Sequence, residues 1–310
     1  MAPFNLVIGP NGSGKSSLLE AALRLRTLAR LPLGSPGDAE KKAAGPQIEF
    51  QFSPPHTSIA AQLSCVSETV CDLLQITPAD AAGWPALRAD LVQMRGYALD
   101  RALLAARALP SDGAKLSADG GNLAAVLCSL REQHPAVFRG LESELKRILP
   151  EFAAVEALKA EDGYAELVLR LTDGGRVPAV DLSQGTLYLL AVLALVFDPE
   201  PPTLLCIEEI DRGIHPRMLR EIRDAFYRLS YPHDYGLERR PTQIIATTHS
   251  PYLIDLFREH PEEVVIAQKH GLEAHFERLV DRPDIKELLR EGSLGDMWFS
   301  GILGGVPEEP

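Results

Sequence analysis

The sequence predicts an α/β fold: a mainly parallel sheet flanked by helices, with an antiparallel β part and an inserted helical lobe. Three observations carry this. Short apolar runs end in glycine, carboxylates or histidine, as in "FNLVIG", "TLLCIEE" and "TQIIATTHS". Helical segments alternate with such runs from Leu187 onward. Between them, "VEALKAEDGYAELVLRLTDGGRVPAV" alternates apolar and polar residues across Asp-Gly turns, the pattern of paired antiparallel strands. Strand and helix in alternation favour a parallel sheet covered by helices.

Each element follows from local pattern. "FNLVIG" reads as a buried strand. From Lys15 to about Arg30 the periodicity is helical, with Leu18, Leu19, Ala22, Leu23 and Leu28 on one face, and Pro32 ends it. "LPLGSPGDAEKKAAGP" reads as an exposed loop, because Pro and Gly interrupt both periods. "QIEFQF" alternates as a strand does. From about Glu68 to Pro150, Ala, Leu, Arg and Glu dominate, broken by Pro78, Pro85, Pro110 and Pro135. This span reads as a group of short helices, "PAVFRGLESELKRILP" being the clearest, with no heptad to sustain a long coiled coil.

Beyond the β part, Leu187–Phe197 reads as a buried helix and "TLLCIEE" as a strand capped by carboxylates. Arg217–Leu229 is helix, "TQIIATTHS" strand, "PYLIDLF" the start of a helix with Pro251 in its first turn, and "EVVIAQ" strand again. No linker divides the chain, so residues 1–310 read as one domain with a helical lobe at about 68–150. In "GSLGDMWFSGILGG", Trp298, Phe299 and Ile302 fall at helical spacing. Packing back onto the sheet is favoured over a docking surface, since most apolar stripes are core.

Composition narrows the function. A formal net charge of -12 makes a general polyanion binder a poor reading, although a local basic groove is compatible with it. The cysteines are Cys65, Cys71, Cys128 and Cys206, none in a CxxC pair. They read as buried free thiols rather than zinc ligands or disulfides. No targeting segment is legible, and the apolar run Leu187–Phe197 falls short of the roughly 20 residues that span a bilayer. A cytoplasmic protein without a membrane is the expectation.

Four motifs carry chemistry. Gly9-Pro10-Asn11-Gly12-Ser13-Gly14-Lys15-Ser16 matches GxxxxGK[ST], after an apolar strand and at the start of a helix. Its glycines let backbone N–H groups curl around a β-phosphate, and the helix start adds positive potential. Lys15 suits the β- and γ-phosphates, and the Ser16 hydroxyl suits Mg²⁺. In "LLCIEEID", two adjacent carboxylates end an apolar strand: Glu208 suits the metal shell and Glu209 suits a base that poises water. In "ATTHS", His249 stands at a strand end, where sheets of this class gather functional groups. In "LSQG", Ser183 and Gly185 offer a hydroxyl and free N–H groups, though Ser183 is equally a good helix cap.

In this order the motifs resemble those of ABC-class ATPases, P-loop proteins of the RecF, SMC and OLD-like group. "LSADGGNLAAVLCSLREQHP", "VPAVDLSQGTLYLLAVLALV", "LLCIEEIDRGIHP", "TQIIATTHSPYLID" and "GSLGDMWFSGILGGVP" together look like the bacterial AAA-family ATPases of phage-defence and mobile-element loci. The resemblance implies ATP and Mg²⁺ as ligands. It implies that Asn11, Gly12, Ser13, Gly14, Lys15, Ser16 and Ser17 form the phosphate loop. Glu208 and Glu209 match the metal and catalytic acids, Asp211 a loop that signals across a dimer, and His249 the switch histidine. Ser183 and Gly185 match a signature that reaches the nucleotide of the opposite subunit, so that two copies sandwich two ATPs.

Departures are specific. Such relatives usually begin with an extra aromatic-containing strand, whereas this chain reaches its loop at Gly9; the choice of ATP over GTP stays open. The signature carries Gln184 and ends in Thr186. Gln47, Gln51 and Gln62 are all candidates for the lobe-switch glutamine. No nuclease signature follows. The expected function is Mg²⁺-dependent ATP hydrolysis in an ATP-dependent homodimer that drives a nuclease, nucleic acid or effector protein. The alternatives are a nucleotide-gated module that holds an effector without hydrolysis, and a DNA-repair ATPase.

Overall fold

The computed structural model describes residues 1–33, 47–65, 71–111, 113–271 and 273–304. The loop expected at 31–46 lies mostly outside them. The strands are β1 (Phe4–Ile8), β2 (Gln47–Gln51), β3 (Ala60–Cys65), β4 (Cys71–Thr77), β5 (Arg95–Tyr97), β6 (Phe152–Lys159), β7 (Ala165–Leu171), β8 (Arg176–Pro178), β9 (Leu204–Ile207), β10 (Gln243–Thr247), β11 (Val264–His270) and β12 (Glu273–Arg278). The helices are α1 (Lys15–Ala29), α2 (Trp84–Val92), α3 (Arg101–Leu104), α4 (Leu123–Gln133), α5 (Pro135–Ile148), α6 (Gln184–Val196), α7 (Leu219–Ser230), α8 (Pro251–Asp255), α9 (Ile285–Glu291) and α10 (Leu294–Phe299). Among the described residues, no helix is long and apolar enough to cross a membrane.

The chain forms two compact units: Met1–Lys15 with Gly96–Pro201 and Ile207–Pro310, and Ser16–Arg95 with Pro202–Cys206. The first unit holds a sheet in which β1 runs parallel to both β10 and β11, with Val7 opposite Thr247 and Leu6 opposite Val264. Antiparallel β12 follows β11 at the edge, and the strand order is β12-β11-β1-β10-β9-β5. The ends of β9 and β5, Ile207 and Gly96–Tyr97, belong to this unit. All five residues of β1 are buried, as expected of a parallel strand covered on both faces. A separate antiparallel sheet pairs β6, β7 and β8, and α4 packs on it.

Helix α6 is buried from Gly185 to Val196, so its sequence is apolar all round rather than on a stripe. Helix α7 instead buries one face, Leu219, Ile222, Phe226 and Leu229. Helix α10 packs against α8. There Trp298 is buried, but Phe299 is 82% and Ile302 50% exposed. The C-terminal stripe therefore splits: one residue enters the core and two face solvent.

The second unit holds α1, the antiparallel sheet β2-β3-β4, and α2. Two expectations are corrected here. The span 68–150 is not all helical: β4 and β5 lie within it, β4 because Leu74 and Ile76 alternate into the core opposite β3. Cys65 and Cys71 are joined in a disulfide, because the β3–β4 pairing sets them opposite each other, which spacing alone does not reveal. Cys128 and Cys206 are free and buried, as expected.

Candidate functional site

The site begins where β1 ends. Gly12 and Gly14 hold φ of +79° and +95°, the left-handed region that glycine enters without penalty. Gly9 is required by space: a Cβ there would lie 2.4 Å from the Ala267 carbonyl oxygen and 2.5 Å from Ser13 Oγ. Gly14 is covered by β12, since its Cβ would lie 2.8 Å from that of Ala274. Lys15 folds back on the loop. Its Nζ donates to the carbonyls of Gly9 at 2.7 Å and Pro10 at 2.9 Å. Burial holds this ammonium below the usual lysine range, and the charge of Glu209 opposes that shift. Ser13 Oγ is buried with no hydrogen-bond partner among the described residues. Asn11 is exposed. Ser16 and Ser17 are exposed and open the second unit.

The acid loop starts where β9 ends. The Glu208 N–H donates to the Tyr97 carbonyl. Glu209 then turns left-handed at φ +48°, the one non-glycine residue to do so among the described residues. Its N–H donates to Thr247 Oγ1 at 3.0 Å, and the Ile210 N–H donates to the Thr247 carbonyl at 3.0 Å. The Glu209 side chain is half exposed, with Arg212 Nε 3.7 Å away. Asp211 accepts from Thr248 Oγ1 at 2.5 Å. Burial raises the Asp211 carboxyl above its ordinary range, and the Thr248 bond opposes this. His249 follows Thr248 directly. Burial, then the charge of Lys15, depresses its imidazole, while Glu209 and Asp211 pull the other way.

Lys15, Glu209, Asp211 and His249 therefore share one electrostatic neighbourhood at the carboxyl ends of β1, β9 and β10. This is where open α/β sheets place their ligands. Gly12 has open space around it, and Ser13 supplies an orphaned polar atom. A loop with these properties fits a phosphate. Among the described residues, no group of three or more His, Cys, Asp and Glu side chains could hold a metal.

A family model described as "AAA domain, putative AbiEii toxin, Type IV TA system" matches residues 4–255, from β1 through His249 to α8. The chain belongs to this AAA-domain family. Among curated proteins nothing matches. Among solved structures, an Smc head bound to the C-terminal winged-helix domain of ScpA is similar at TM-score 0.57 and 13% identity, over 89% of this chain and 90% of that one. The Smc head with an extended coiled coil from Pyrococcus furiosus, bound to the C-terminal domain of ScpA, gives 0.51 and 12%, over 93% of each. These likenesses are of fold, and they agree with the α/β architecture expected from sequence.

In this AAA domain, Ser183 and Gly185 have other neighbours. Ser183 caps α6, its Oγ accepting from the Thr186 N–H at 3.1 Å. A Cβ on Gly185 would lie 3.1 Å from the Gly213 carbonyl oxygen, so the signature abuts the far end of the acid loop rather than Lys15. Gln47 and Gln62 hydrogen-bond each other across β2 and β3 at 2.7 Å. Sequence reasoning missed Thr247, Thr248 and β12. The threonines stood in plain view beside His249, but their partners lie 38 and 37 residues away in sequence. Strand β12, "EAHFER", is exposed at every residue, yet Ala274 and Phe276 alternate with polar residues; that alternation and the turn glycine Gly271 were the available signals.

Proposed function

We propose that this AAA domain binds ATP with Mg²⁺ and hydrolyses it. Two copies would close on two nucleotides, with residues 1–310 of each working as one ATPase unit. The observation that carries this reading is the gathering of Lys15, Glu209, Asp211 and His249 at the ends of three strands of one sheet. Lys15 would leave the Gly9 and Pro10 carbonyls for the β- and γ-phosphates, while the N–H groups of residues 11 to 17 bind phosphate oxygens. Ser16 and Glu208 would hold Mg²⁺, which supplies neutralisation of the phosphate charge. Glu209 accepts a proton from water, and its exposure keeps it reachable. His249, held toward its neutral form, would donate a hydrogen bond to a terminal phosphate oxygen or accept one from the attacking water. Ser183 and Gly185 of a second copy would complete each pocket, and Asp211 would link the two sites.

Closure would drive a partner, a nuclease or an effector protein, in a defence or DNA-maintenance role; the acidic charge argues against broad nucleic-acid binding. The test is Glu209→Gln. Nucleotide affinity should stay within about twofold, while turnover falls by about 100-fold or more, and dimers accumulate with ATP in light scattering. Unchanged turnover would remove Glu209 from the role of base. Wild-type protein that keeps ATP intact for hours would replace hydrolysis with gating.

A further inference from the structure

The strained point of the site is Glu209. A left-handed backbone is unfavourable for a non-glycine residue, and such residues persist only where their surroundings over-determine them. Here the surroundings include two adjacent residues, beside the Tyr188 hydroxyl and the Arg212 N–H, which donate to the Glu209 carbonyl at 3.4 Å and 2.8 Å. Thr247 and Thr248 are 4% and 0% exposed. Thr247 receives two successive N–H groups of the acid loop: that of Glu209 on its hydroxyl and that of Ile210 on its carbonyl. Thr248 donates to Asp211 and accepts from the Ser250 N–H at 3.0 Å. The next residue in the chain after Thr248 is His249.

We infer that Thr247 and Thr248 are positioning residues: their hydroxyls hold the acid loop in the conformation that presents Glu209 and tie that loop to His249. The inference rests on the hydrolytic reading above. A valine of the same shape would fill the same space at Thr247 but offer the Glu209 N–H no acceptor. The left-handed turn would then lose the bond that selects it. The hydroxyl at Thr248 does the same for Asp211, so the strand end moves with the loop as one body. A shift of His249 toward a bound phosphate would be felt at Glu209 through two hydrogen bonds rather than through solvent.

The experiment compares T247V with T247S by steady-state ATP hydrolysis, nucleotide affinity and thermal melting. T247V should lower kcat about tenfold, the effect of one lost hydrogen bond to a reacting group's backbone. Its KM and nucleotide affinity should stay within about twofold, and T247S should restore kcat to within about twofold. In the E209Q background T247V should change residual turnover by less than about twofold, because both changes act through one side chain. A packing role would instead lower melting temperature and affinity with kcat and would add to E209Q; that result overturns the inference. If T247V does not fold, T248V reads the neighbouring tether in the same way, with T248S as its rescue. Wild-type turnover with unaffected valine variants overturns this inference alone, whereas wild-type protein without turnover overturns the hydrolytic reading and this inference with it.

Discussion

The phosphate loop and the acid loop leave the same end of one sheet, and both pass through left-handed backbone, but by different means. The phosphate loop uses Gly12 and Gly14, since in the proposed function backbone N–H groups would do the binding and side chains would only obstruct. The acid loop uses Glu209 at its start, with Gly213 at its far end; at Glu209 the side chain is what the proposed chemistry needs. Glycine makes a turn cheap wherever it stands. A glutamate in the same region requires neighbours to hold it, and Thr247 and Thr248 are among those neighbours. One loop carries its conformation in its own residues; the other borrows it from a strand more than thirty residues away.

The difference can be broken most sharply at Gly14. Gly14→Val adds a branched side chain at φ +95° where even a Cβ would lie 2.8 Å from Ala274. Nucleotide affinity should fall about 100-fold or more, measured by calorimetric titration; unaltered affinity would show that the loop's conformation does not matter to binding.

A paired change sharpens the comparison. Gly12 has nothing within 4 Å of its would-be Cβ, so Gly12→Ala isolates backbone strain and should destabilise by about 1 kcal/mol. Glu209→Gly relieves the same strain and should stabilise by about 0.5–1 kcal/mol, after the entropic cost of glycine, while turnover is lost. Chemical denaturation of both variants checks the opposite signs. Equal signs would mean that the threonine tether, not the turn, dominates stability at Glu209.

The smallest effect is a pH dependence. The imidazole of His249 is depressed below its ordinary 6.5 by burial first and by Lys15 second. A base with a depressed folded pKa contributes stability that is present above the unfolded value and lost as pH falls through the folded one. Wild-type protein should therefore lose stability relative to His249→Gln as pH drops from above 6.5 into the acid range. Urea midpoints of the two proteins at pH values on either side of that window provide the check. A gap between the midpoints that does not move with pH would remove His249 from the shared neighbourhood of Lys15.

Much of this was legible in the linear chain, for reasons that differ by element. The phosphate loop could be read because each of its needs, a left-handed glycine, a lysine and a helix start, is met within eight residues. Glu208, Glu209 and His249 could be read because buried parallel strands are apolar throughout, so a polar group at their ends stands out. The span 68–150 reads as helical because Ala, Leu, Arg and Glu dominate it as a whole, whereas "CDLLQIT" forms a strand by pairing with β3. The Cys65–Cys71 disulfide depends on that same pairing.

By itself the sequence determined that the glycine loop, the paired carboxylates and the histidine would stand at the ends of sheet strands, because hydrophobic period and glycine placement are local properties. Tertiary structure alone decided that β10 lies beside β1 with Thr247 opposite Val7, and that the Glu209 N–H meets a threonine hydroxyl 38 residues on. Those are matters of register between distant strands. Register is set by the packing of whole faces, which no short stretch of chain contains.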